Sequence, residues 1–95
     1  PLNDGNVIRV IIPPLSEERR IELAKLVSKR GEERRVVLRN IRRDSIGKLK
    51  GMEKNKEISQ DGLKNSIKQI DAISDSFIEE VNKIGQDKEK EIKEV

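Results

Sequence analysis

The sequence predicts an all-α chain: a long antiparallel helical hairpin, part of a larger bundle, preceded by a short β-strand. Three observations predict it. Charged residues make up 41% of the chain and hydrophobic residues 33%, a mixture that suits long amphipathic helices better than a packed sandwich or an α/β sheet. No proline occurs after Pro14. Two long stretches space their apolar residues by three and four positions, which is the period of a helix. At 95 residues there is material for one small domain at most.

Residues 1–5 carry turn chemistry, with Pro, Asn, Asp and Gly in quick succession. Residues 7–12 are short and rich in Val and Ile, the pattern of a strand. Pro13 and Pro14 end it, since neither has an N–H to give to a ladder. A lone strand has no partner of its own. The chain also opens on Pro rather than Met, and together these features read as a piece of a longer protein.

Ser16 has the side chain of an N-cap, and Glu17 and Glu18 place acid in the first turn, where it suits the helix dipole. The first helix is expected to run from there to about Lys54, weakened at Gly31, Gly47 and Gly51. Placed at 100° per residue, Leu23, Leu26, Val27, Val37, Leu38, Ile41, Leu49 and Met52 fill one sector about 140° wide. Arg34 falls inside that sector, and Val36 and Ile46 fall outside it. Residues 55–58 are a short polar connection, and Ser59 is a second N-cap. The second helix is expected from about Gln60 to near the end of the chain. Its seam alternates steps of four and three through Leu63, Ile67, Ile70, Ser74, Phe77, Val81, Ile84 and Lys88, the signature of bundle packing. Ile73 and Ile78 widen it to about 140° as well. A short loop makes the two helices antiparallel neighbours. Sectors this broad touch two neighbours each, so a third helix is implied.

Several function classes are excluded by what the chain lacks. It has no Cys and no His, hence no disulfide framework, no thiolate zinc site and no imidazole base. It has no phosphate loop, no dinucleotide fingerprint and no nucleophile–base pair. Enzymatic activity and cofactors are therefore not expected. No apolar run reaches the ~20 residues of a membrane span.

The charge is divided unevenly. Residues 1–52 hold 13 Lys and Arg against 7 Asp and Glu, and residues 53–95 hold 8 against 11. All nine arginines lie in the first part, and Arg39, Arg42 and Arg43 fall within five residues of one another. With Arg35 they form a contiguous band beside and behind the apolar sector, at about 120° to 220° when Arg30 is set at zero. Guanidinium is the side chain suited to phosphate. A single Phe argues against stacking on single-stranded bases, which leaves recognition of backbone and shape, as in folded RNA. The competing reading is a solvated face, with Arg39 and Arg43 as i,i+4 neighbours balanced by Asp44 and by acids of the second helix. The residues alone leave both open.

The runs Val10-Ile-Ile-Pro-Pro-Leu-Ser-Glu-Glu-Arg-Arg20, Val37-Leu-Arg-Asn-Ile-Arg-Arg-Asp44, Lys54-Asn-Lys-Glu-Ile-Ser59 and Asp87-Lys-Glu-Lys-Glu-Ile92 resemble the C-terminal half of the bacterial ribosome recycling factor family. The resemblance covers essentially the whole chain. It implies a three-helix bundle with a small β domain inserted after the first helix. Residues 1–15 then correspond to the end of that β domain and a hinge at Pro13 and Pro14, and residues 16–95 to bundle helices two and three. It also implies a cytoplasmic translation factor that, with elongation factor G, splits the post-termination ribosome. Arg39 and Arg42 match the family's contacts to large-subunit rRNA, with Arg43 ranked after them. The family's first helix has no counterpart here, so the hairpin is expected to self-associate through its uncovered faces. The alternative is a bundle-forming interaction module with no nucleic-acid role.

Overall fold

The computed structural model describes residues 15–94, and over them the chain is two helices joined by a tight loop. The first, α1, spans Glu17–Lys54, and the second, α2, spans Gln60–Glu94. Both begin where their caps predict. Ser16 has extended backbone (φ −66°, ψ 155°), and its Oγ accepts from the Arg19 N–H at 3.1 Å. Ser59 Oγ accepts from the Gly62 N–H at 2.9 Å. Each hydroxyl satisfies a donor that the first helical turn leaves without a partner.

The end of α1 is closed by two backbone hydrogen bonds. Lys56 N–H donates to the Glu53 carbonyl at 2.9 Å, and Glu57 N–H donates to the Met52 carbonyl at 2.8 Å. This is the Schellman pattern, in which the residue after the cap turns left-handed. Lys56 takes that position with φ 61°, the one non-glycine positive φ among the described residues. The turn reverses the chain at once, so α2 runs back along α1.

Contacts at three levels fix the register. Arg20 Nη1 donates to the Ile92 and Lys93 carbonyls, at 2.9 and 2.7 Å. Arg35 Nη1 donates to Asn82 Oδ1 at 2.8 Å, and Arg42 Nε donates to Asp71 Oδ1 at 2.6 Å. Between them Val27, Leu38 and Leu49 of α1 are half-buried, as are Leu63, Ile67, Ile70, Ile78 and Val81 of α2.

None of the described residues is fully buried. The broad apolar sector of α1 is split: one edge packs on α2, and the other stays open. Leu26, Val37, Ile41 and Met52 lie on the open edge, with Ile41 57% exposed. Ile73, Phe77 and Ile84 stand out from α2, with Phe77 51% exposed although the heptad seam places it inward. Leu26 and Ile84 line one groove of about 440 Å³, with Val27 and Val81 at its floor and Arg30, Arg34 and Lys88 also lining it. The two open edges thus meet on one side of the hairpin and form a single apolar face. Arg34, anomalous in the sequence pattern, lies along this groove. The expected strand at residues 7–12 and the prolines at 13 and 14 lie outside the described residues.

Candidate nucleic-acid interface

Unlike Arg30 and Arg34, which line the apolar groove, Arg35, Arg39 and Arg43 lie away from the apolar face, because the helical steps that bring Leu26, Val37 and Ile41 to one side carry them to the other. The polar side of the hairpin is also lined by Ser28, Asn82, Gln86 and Glu89. On this side the cations of α1 meet oxygen acceptors on α2 and on α1 itself.

Glu32 sits between two of them. Its Oε1 accepts from Arg39 Nη2 at 2.7 Å, and its Oε2 lies 3.6 Å from Arg35 Nη2. Arg35 in turn reaches Asn82 on α2. Arg39 keeps 57% of its side chain exposed, and Arg43 keeps 72%, with Arg43 Nε 3.6 Å from Asp44 Oδ1. Ion pairs this exposed contribute about 1 kcal/mol or less, so little holds these guanidinium groups to their partners.

Arg42 is placed differently. It lies at the edge where α1 meets α2, and its Nε is held by Asp71 at 2.6 Å with 43% of the side chain still exposed. The hydrogen bond from Asp71 raises the Arg42 pKa above its ordinary value. The negative charges of Asp71 and Asp75 add to this, and partial desolvation opposes it. Only Nε is engaged, so the two Nη groups have no other hydrogen-bond partner among the described residues. Those are the groups that bind phosphate in a fork.

The three arginines singled out by sequence are thus neighbours on one side of α1, each beside a carboxylate, and only Arg42 is tied to the second helix. Three residues that sequence reasoning passed over complete the arrangement. Asp71 lies next to Ile70 on the seam of α2, and its phase relative to Leu63 and Ile67 was the available signal. Asn82 follows Val81 in the same way. Arg20 closes the open end of the hairpin. Pro13 and Pro14, the predicted hinge, lie outside the described residues. Among those residues no helix is long and apolar enough to cross a membrane.

Comparison with known proteins identifies the setting of this hairpin. The model of the ribosome recycling factor family matches residues 1–92. Over 95 residues the chain is 57% identical to a ribosome-recycling factor of Dehalococcoides mccartyi. It is 54% identical to one from Acetivibrio thermocellus and 52% identical to one from Bacillus licheniformis. These alignments take in 100% of this chain but 51 or 52% of each relative. The chain spans about half the length of the curated relatives it matches.

Proposed function

Since the chain belongs to the ribosome recycling factor family, we propose that it supplies the rRNA-facing hairpin of a translation factor. On this reading the whole factor, acting in the cytoplasm with elongation factor G, splits the ribosome into subunits after termination. The chain contributes binding and shape to that process, with no catalytic group or cofactor of its own. Arg39, Arg42 and Arg43 bind phosphates of large-subunit rRNA. The prolines at 13 and 14 belong to the hinge between the hairpin and a small β domain whose last strand ends near residue 12.

The observation that carries this reading is the state of the three guanidinium groups. They stand together on the polar side, partly exposed; the partners of Arg39 and Arg43 are surface carboxylates of the kind that phosphate replaces, and Arg42, bound through Nε, keeps its Nη edge open. Arg39→Ala and Arg42→Ala should each weaken binding to purified large ribosomal subunits about tenfold, the worth of a hydrogen bond to a charged group. Helix content and melting temperature should stay close to those of the unaltered chain. Unchanged binding would overturn the reading, and loss of the helical signal in both variants would make these arginines structural.

The apolar face belongs to the same proposal. Leu26, Val37, Ile41, Ile73, Phe77 and Ile84 form a stripe on one side, and a third helix laid along it would complete a bundle. In the 95-residue chain by itself a second hairpin takes that place, giving a four-helix arrangement of two copies.

A further inference from the structure

The contact between Arg42 and α2 has a consequence for the interface just described. An arginine on an exposed helix face has four rotatable side-chain bonds, and ordering it on a phosphate costs up to about 2 kcal/mol of rotamer entropy. Arg39 and Arg43 are paired only within α1. Arg42 is held instead by an acceptor on the other helix, at a short 2.6 Å distance and through Nε alone. A carboxylate bound to Nε fixes the plane of the guanidinium and leaves the Nη edge open.

We infer that Asp71 is a positioning residue for phosphate binding: it holds the Arg42 guanidinium from the opposite helix so that its Nη edge is presented to the RNA. This rests on the reading of Arg42 as a phosphate contact. Asp71 does not itself touch the ligand, and as an anion it would repel phosphate. Its contribution acts entirely through Arg42. Asp75, one turn further along α2, adds negative charge near Arg42 but makes no hydrogen bond to it among the described residues. It serves as the internal control.

The sign of the effect separates positioning from plain electrostatics. Removing an acid beside a phosphate-binding surface should strengthen RNA binding, since it removes repulsion. If Asp71 positions Arg42, Asp71→Ala should do the opposite and weaken binding to purified large ribosomal subunits about tenfold. Asp71→Asn keeps an oxygen acceptor for Nε and should restore most of the affinity. Asp75→Ala should leave affinity unchanged or raise it. Asp71→Ala added to Arg42→Ala should cost nothing further, because its effect passes through a group already gone.

The outcomes are distinguishable. Absence of binding by the unaltered chain, or binding insensitive to Arg42→Ala, overturns the rRNA reading and this inference with it. Binding that falls in Arg42→Ala but holds or tightens in Asp71→Ala overturns the positioning role alone. An equal further loss when Asp71→Ala is added to Arg42→Ala shows a purely structural role, and also overturns it.

Discussion

Arg20 in the first turn of α1 and Ile92 in the last turn of α2 are joined by a hydrogen bond of 2.9 Å, from guanidinium to main-chain carbonyl. The same nitrogen donates to the Lys93 carbonyl at 2.7 Å. Carbonyls in the final turn of a helix have no partner within it and carry the negative end of its dipole. One cation from α1 therefore caps α2 and closes the open end of the hairpin.

Arg20→Ala should destabilise this end by about 1 kcal/mol without unfolding the rest. Amide hydrogen exchange should show faster exchange in the last turns of α2, around Ile92, with little change near the loop. Uniform loss of protection along both helices would contradict the local role.

The loop carries a correctable strain. Lys56 occupies the left-handed position of the Schellman turn with φ 61°, where a Cβ costs about 1 to 2 kcal/mol. Lys56→Gly removes that cost but adds freedom to the unfolded chain. A net gain of up to about 1 kcal/mol is expected, read as a higher melting temperature by circular dichroism.

A second gain is available at Gly47, in the interior of α1. A methyl group there would meet nothing within 4 Å, and Ala exceeds Gly in helix propensity by about 1 kcal/mol. Gly47→Ala should raise the melting temperature. The same change at Gly31 should give less, because its Cβ would lie 3.3 Å from Arg35 Nη1 and press on the contact with Asn82.

The elements themselves were legible in the sequence because caps and periodicity are local. Ser16, Ser59 and the spacing of apolar residues locate both helices, and the loop falls where the polar run 55–58 predicts. The neighbours were less legible. Helical phase places Val27 and Leu26 in one broad sector, but it does not say which edge meets α2 and which stays open. That depends on the phase of the second helix as well. The same limit applies to the arginines: Arg42 and Arg43 are adjacent in sequence, yet one reaches Asp71 across the hairpin and the other only Asp44 beside it. Phe77 and Ile84 sit on the heptad seam but are exposed, because a single partner helix covers only part of a sector that wide.

The open apolar face predicts association of the 95-residue chain. Sedimentation should show a reversible dimer that weakens on dilution. Ile73→Ser combined with Phe77→Ser, both on the exposed edge of α2, should shift it toward monomer. A folded monomer at high concentration, with the helical signal intact, would contradict the need for a covering helix.

Phosphates of large-subunit rRNA are the proposed ligands of Arg39, Arg42 and Arg43. The most direct measurement is the salt dependence of binding to purified large ribosomal subunits, for the unaltered chain and for Arg39→Ala/Arg42→Ala/Arg43→Ala. Each lost phosphate contact should reduce the slope of log affinity against log salt by about 0.7 to 0.9. The triple variant is predicted to bind more weakly, with a slope shallower by about 2 to 3, while its helical signal stays unchanged. Equal affinity and an equal slope in the two chains would contradict the account.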